Sequence, residues 1–550
     1  MTMHPKDYTA VPAETERVAR AAFPKGNAYL KLRDELETIY HDALFADLFP
    51  QVGQIAESPG RLALVTVLQF AEGMTDRQAA DAVRSRIDWK YILGLELSDP
   101  GFDFSILSEF RGRLIAGEAE ERLLDQLLKV LKDHRLLKER SRQRTDSTHI
   151  WAAIRRINRL EKVGETLRAA LNDLATIAPE WLKVRIPGAW YERYGTRIEE
   201  SRLPKKQKEQ DELALQIGKD GRQLLHWVYE AGSSREIQEN GAVEILRRVW
   251  IQEYYQQEDN ISWRDLDNTP PGEQRIHSPY DDEARYSEKR GEGWVGYKGH
   301  LTETCEEDTP HLIVQVETTP APQPDFEVIP TIQQDLADKQ MLPDDHLMDQ
   351  GYMNIRHVVA AERDYGIRII GHPMGDSSWQ AKEAKGFDLP HFAIDWDQKV
   401  VHCPLHHSSR YWNGGKDSQG ELVFKVEFSA EDCGACPQRV HCTHSQTGGR
   451  RLSIRPQAEY EALQKLRQEV HTEAFKSKYR KRAGIEGTIS QAVRTYDFRR
   501  ARYISLAKVH LQQVATAAAI NLARVFAWLS NVPLAKTRIS PLSSLALAPL

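Results

Sequence analysis

The chain is predicted to be a mixed α/β protein with a helical N-terminal domain and a cysteine-rich insertion, and three observations carry this. Apolar residues recur at helical spacing from Ala28 to about Leu137, as in LALVTVLQFAEG and ERLLDQLLKVLKD. Runs rich in Val, Ile, Thr and aromatic residues return far downstream, at GWVGYKGHLTET and HLIVQVETT. Four of the five cysteines, Cys403, Cys433, Cys436 and Cys442, fall in one segment. A sheet is therefore assembled from pieces far apart in sequence.

Length and composition bound this reading without choosing a function. A chain of 550 residues suggests two to four domains, and 41% hydrophobic with 28% charged residues is ordinary for a globular protein. The start, MTMHPKDYTAV, has no apolar signal segment, and no run of eighteen apolar residues occurs. A cytoplasmic protein with no membrane partner is expected.

In chain order, residues 1–30 read as a poorly ordered lead and 31–140 as a helical domain for DNA binding or dimerisation. Thr75 is placed to cap the helix DRQAADAV. RQAADAVRSRIDWKYILGL resembles a helix-turn-helix pair carrying Arg77, Arg84, Arg86 and Lys90, although a plain helical bundle accounts for it too. Residues 141–151 and 272–372 supply the first parts of the α/β core, separated by a helical insertion at 152–271 that includes INRLEKVGETLRAALNDLATI. Asp146 lies in TDSTHI, at a short strand. Asp349 ends the apolar segment His346–Met348 and precedes Gln-Gly-Tyr, a helix at Ile355–Arg363 and a strand at Ile367–Ile370. An acid at a strand's end, followed by a glycine turn, sits where open α/β sheets bind ligands. Residues 373–450 form the cysteine-rich insertion, 451–531 the C-terminal part of the core, and 532–550 a frayed tail. Val514–Leu529, interrupted by Asn521 and Arg524, reads as a buried amphipathic helix.

Two segments carry chemistry. Between Lys476 and Lys508 there are ten Lys or Arg against two acids, Glu486 and Asp497, a local balance of +8 in a chain of net charge -6. Such a field attracts phosphate, and an isolated carboxylate within it opposes DNA unless a divalent cation sits on it. Glu486 therefore reads as a metal ligand. On a continuous helix Tyr479, Arg482, Glu486, Ser490 and Arg494 line one face. Asp146 and Asp349 are the matching hard-oxygen ligands for Mg²⁺. In the second segment Cys433-x-x-Cys436, with Cys403 and Cys442, offers a tetrahedral thiolate site for Zn²⁺, with His402, His406, His407, His441 and His444 as substitutes and unmetallated cysteines as the alternative. Lys298 and His300 share a strand face, and Tyr411 and Trp412 suit either base stacking or packing.

Tyr479, two residues, Arg482, three residues and Glu486 resemble the signature around the catalytic Glu of bacterial insertion-sequence transposases, in the broad IS-four-like group of the DDE class. Residues 40–115, residues 274–304 and the stretch RRARYISLAKVHLQQVATAAAINLARV resemble the branch numbered eleven eighty-two. The signature's Lys is replaced by Val493, with Arg494 one position later. The resemblance implies a ribonuclease H-like mixed-sheet core in which Asp146, Asp349 and Glu486 are catalytic and hold two Mg²⁺, or Mn²⁺, ions. It also implies DNA contacts by Tyr479 and Arg482. The remaining basic residues of the segment, Arg494, Arg499, Arg500, Arg502 and Lys508, are expected to join them. The expected partners are double-stranded DNA, as element ends and target, and a second copy of the chain on the paired ends. On DNA it would associate with the nucleoid. A ribonuclease H-like nuclease without strand transfer, and an inactive DNA-binding regulator, are the alternatives.

Overall fold

A computed structural model describes residues 2, 10–50, 52–53, 55–155, 157–257, 260–289, 291–418 and 420–533. Most of the expected C-terminal tail lies outside them. The expected lead 1–30 is in part helical: Ala13–Ala22 and Ala28–Leu36 are helices. Their order has a tertiary cause. Thr15 is buried and donates to the Leu95 carbonyl at 2.7 Å, Ala19 is buried, and Asn27 caps the second helix.

Helices continue to Asp133. Thr75 caps Asp76–Ser85 in a capping box with Gln78, an arrangement contributing about 1 kcal/mol. Of the basic residues of the helix-turn-helix reading, Arg77 and Arg84 are exposed, while Arg86 and Lys90 are engaged internally. Lys90 is buried and donates to the Asp99 carbonyl at 2.8 Å, Arg86 pairs with Asp88 at 2.7 Å, and Arg77 lies over the Phe104 ring.

The central sheet begins at β1 (Gln143–Trp151). Helices Arg159–Ile177, Gln207–Val228 and Gly241–Glu253 then pack around their own apolar core, which includes Val163, Leu167, Leu224 and Val249. The segment, expected to be mostly helical, also holds two short strands. Tyr254–Gln257 (β2) pairs antiparallel with Asn260–Trp263 (β3), because Tyr254 turns its ring onto Trp250 and Trp263. Aromatic side chains fill such half-buried strand positions well.

The sheet resumes with β4 (Arg285–Lys289), β5 (Glu292–Thr304), β6 (Ile313–Pro320), β7 (Asp345–Met348) and β8 (Arg368–Ile370). Its order is β4-β5-β1-β7-β8, with β6 also on β5. β1, β5 and β6 run antiparallel, while β7 is parallel to β1 and β8 parallel to β7. Both β5 and β6 are buried along most of their length, consistent with helices on both faces. The helix Leu506–Leu529 packs along β6, and its Asn521 amide both donates to the Ile313 carbonyl and accepts from the Ile313 N–H at 2.8 Å. An Asn that interrupts the apolar pattern thus satisfies the backbone of Ile313, at the start of β6.

After β8 come a hairpin, β9 (Ala393–Asp395) with β10 (Val400–His402), and a three-stranded sheet of β11 (Ser409–Lys416), β12 (Leu422–Phe428) and β13 (Arg451–Ile454). These share a small core with Phe392, Val426, Phe428 and Cys442. Among the described residues no helix is long and apolar enough to cross a membrane.

A buried polar network joins the helical region to the sheet. His510 meets Glu121 at 2.8 Å, Lys339 meets Glu121 at 3.0 Å and Asp125 at 2.9 Å, and Gln315 bridges Glu317 and Asp335. Burial, with Asp335 beside it, pushes the Glu317 carboxyl up to about 8. A carboxyl raised on folding stabilises the fold fully below its unfolded range near 4.5, and that contribution is lost as pH rises through about 8. Glu317→Gln mimics the protonated form. It is expected to raise the melting temperature by about 2 °C or more at pH 8, with no gain at pH 4.5, in thermal unfolding at the two pH values.

Candidate active site

Asp146 and Asp349 are brought together by strand register. Thr145 pairs with Met348 in the parallel β1/β7 ladder, so the two aspartates are the next residues on neighbouring strands. Such strands lie about 4.8 Å apart. β7 stops at Met348 while β1 runs on to Trp151, so a cleft opens at this step. The Asp349 carboxylate accepts from the Gly351 N–H at 2.9 Å and caps the turn Gln350–Tyr352. Asp146 accepts from the Ser147 N–H at 2.8 Å. Burial chiefly, with the charge of Asp349 adding to it, raises the Asp146 carboxyl above its ordinary range, against the pull of the Ser147 N–H and Arg482.

Glu486 reaches the cleft from the helix Gly484–Tyr496, which packs on β1. The continuous helix expected from Tyr479 onward is broken by a tighter turn, Lys481–Ala483, between Glu473–Arg480 and Gly484–Tyr496. Arg144 is the cause. It lies against Gly484, where a Cβ would collide with its guanidinium, and donates to the Lys481 carbonyl at 2.6 Å. A side chain entering the helical ladder tightens the turn in this way. The four-residue spacing survives, and Arg482 bridges Asp146 at 3.3 Å and Glu486 at 3.2 Å.

What docks this helix is Glu303 on β5, wholly buried. It accepts from Arg144 at 2.7 Å, Arg524 at 2.7 Å and Thr488 at 2.6 Å. Burial would raise its carboxyl, but Arg524 and Arg144 outweigh that and hold it below the ordinary range.

Two partly buried aspartates, hard oxygen donors of the kind a divalent cation takes, meet at one sheet step, and Glu486 is joined to Asp146 through the Arg482 guanidinium. The Arg482 guanidinium carries part of the positive charge those oxygens require. Among the described residues no group of three or more His, Cys, Asp or Glu is arranged to hold a metal ion. At this site Arg482 lies between Asp146 and Glu486, whose side chain is 66% exposed.

The other basic residues divide. Arg499 donates to Thr148 at 2.8 Å, on the strand of Asp146, while Arg494, Arg500 and Lys508 are exposed. Arg502 turns away, donating to the Met74 carbonyl at 3.0 Å and lying over Phe70. Tyr479 packs against Phe475 and His372, with Arg482 over its ring. His300 is buried against Tyr352 at 2.7 Å, and burial lowers it to about 4, so it is neutral. Trp412 packs between Trp396 and Phe424, whereas Tyr411 is exposed. Sequence reasoning passed over Arg144, Glu303 and Asp325. The first two are single charges in strand patterns whose partners lie hundreds of residues away, and no local signal marks them.

Cys403, Cys433, Cys436 and Cys442 line one cavity of about 20 Å³ together with His407. The His407 N–H donates to Cys403 Sγ at 3.3 Å and the Arg450 N–H to Cys433 Sγ at 3.4 Å. All four are free thiols. His441 instead meets Glu383 and His444 stacks on Trp379.

With this geometry in view, two family matches bear on the chain. Residues 402–526, which include Glu486 and the four clustered cysteines, match the Transposase DDE domain. Residues 17–113 match the Transposase domain (DUF772). No curated protein matches the chain. Both matches imply a transposase, an enzyme acting on DNA, and the DDE class works with a divalent metal ion.

Removing the Glu303 carboxylate leaves two buried guanidinium groups unpaired. Glu303→Ala is expected to cost about 3–5 kcal/mol, read as a lowered denaturation midpoint.

Proposed function

We propose that the chain is a DDE transposase that binds the ends of its own insertion element and catalyses metal-dependent strand cleavage and strand transfer, with Asp146, Asp349 and Glu486 as the metal-holding acids. The observation that carries this is the register step setting Asp146 beside Asp349, with Arg482 tying Glu486 to the pair. The order β6-β5-β1-β7-β8, three antiparallel strands followed by two parallel ones, supports a core of the ribonuclease H type. The match to the Transposase DDE domain supports the class.

Divalent ions bound by the three acids would activate the attacking oxygen and stabilise the departing 3′ oxygen. The chain's own part is positioning and charge. Arg482 is held within reach of both a carboxylate and an entering phosphate, and Arg499, Arg494, Arg500 and Lys508 extend the positive field. A water oxygen attacks phosphorus as the 3′ oxygen leaves. The freed 3′ hydroxyl then attacks a target phosphodiester, one such bond forming as another breaks. No covalent protein intermediate is needed. Joining two ends calls for a homodimer, in the cytoplasm and at the nucleoid.

The test is Mg²⁺-dependent cleavage and joining of a plasmid carrying the gene's own flanks. Joined products are expected from the wild type, and a loss of about 10²- to 10³-fold in Glu486→Gln, with end binding retained. Cutting without joining would establish a nuclease instead. End binding with no cutting by the wild type would establish a regulator.

We also propose a structural Zn²⁺ held by Cys403, Cys433, Cys436 and Cys442. That all four line one cavity supports it, as do the two N–H groups aimed at sulfur and the presence of Arg439 and Arg450 to balance a tetrathiolate's charge. The thiols must draw together on binding. Elemental analysis of protein purified without chelator is expected to find about one zinc per chain, lost in Cys433→Ser. A zinc-free, folded protein would overturn the assignment.

A further inference from the structure

A fourth carboxylate stands beside the two aspartates. Asp325 follows β6 at the start of a short turn, Asp325–Val328, and its side chain is 13% exposed. One oxygen accepts from Lys298 Nζ at 2.9 Å, and Lys298 also donates to the Gln323 carbonyl at 2.7 Å. The other accepts from Ser147 Oγ at 3.2 Å. Ser147 is the residue whose N–H holds Asp146. On the opposite side Asp325 touches the Asp349 turn: a Cβ at Gly351 would stand 3.2 Å from Asp349 Oδ1 and 3.4 Å from Asp325 Oδ2. Gly351 is thus the residue that lets the two carboxylates approach while its N–H holds Asp349.

We propose that Asp325 and Lys298 form a charge-compensated positioning pair for the active site. Asp325 holds the Ser147 side chain on β1, next to Asp146. Its negative charge keeps the Lys298 ammonium from repelling the divalent cation that Asp146 and Asp349 receive. The pair is near neutral as a unit, and the acids beside it keep their pull on a cation. Both charges are nearly buried, at 16% and 13% side-chain exposure, so water screens them poorly. This inference rests on the reading of Asp146 and Asp349 as cation ligands.

A charge cycle tests it in the full-length, DNA-free protein, with Mn²⁺ as the probe and binding followed by the electron paramagnetic resonance signal of free Mn²⁺. Asp325→Asn keeps an acceptor for Ser147 but strips the ammonium of its partner. It is expected to weaken Mn²⁺ binding about tenfold or more. Adding Lys298→Met removes the stranded charge and is expected to restore affinity to within about threefold of wild type. A double variant as weak as Asp325→Asn would overturn the proposal, because it would make Asp325 a direct ligand. Unchanged affinity in Asp325→Asn would overturn it as well. Asp146→Asn separates the two readings. If it abolishes wild-type Mn²⁺ binding while Asp325→Asn does not weaken it, only the positioning pair fails. If the wild type binds no Mn²⁺, the cation site itself fails and the pair with it. Melting temperatures of all variants distinguish lost binding from lost fold.

Discussion

The Glu303 carboxylate is the constraint on which the candidate site depends. A charge with no solvent access persists only when its partners compensate for lost hydration, and here the charge and its three partners come from four elements. Arg144 belongs to β1, Glu303 to β5, Thr488 to the Glu486 helix and Arg524 to the C-terminal helix. One buried group therefore fixes the height and rotation of the helix carrying Glu486 relative to the strand carrying Asp146. Arg144 acts twice, since its contact with the Lys481 carbonyl also produces the tight turn that aims Arg482 at the cleft.

Around that anchor the acids are held by short-range devices. Asp146 accepts from the Ser147 N–H on β1 and pairs with Arg482, and Asp349 accepts from the Gly351 N–H of its turn. The arrangement concentrates negative charge at one step of the sheet without leaving it unbalanced. The Asp146 carboxyl is raised chiefly by burial, and the charge of Asp349 adds to it. The cysteine-lined cavity lies in a different part of the chain, with a small core of its own between β8 and the Glu486 helix.

Much of the architecture was legible from local pattern. The runs GWVGYKGHLTET and HLIVQVETT fall in β5 and β6, the helix after Asp349 starts at Ile355, and Thr75 caps its helix. Misreadings arose where a local pattern met a tertiary contact. Polar residues before Ala28 read as disorder, yet Ala19 and Thr15 are buried. VWIQEYYQ reads as one helix, yet Tyr254 finds Trp263 and turns into a strand. Arg86 and Lys90 read as a basic surface, but they are consumed by internal acids and carbonyls.

The sequence by itself determined the order Asp146, Asp349, Glu486, the four-residue step from Arg482 to Glu486, and the clustering of the cysteines, because these are properties of spacing along the chain. Only the tertiary structure decided that Asp146 and Asp349 share a register step, that Glu303 holds the Glu486 helix to the sheet, and that Asp325 joins them. The contacts that build the site link residues separated by as many as 337 positions. A pairing of that kind is selected by burial and charge compensation in the folded core, and neither has a periodicity that a local reading can detect.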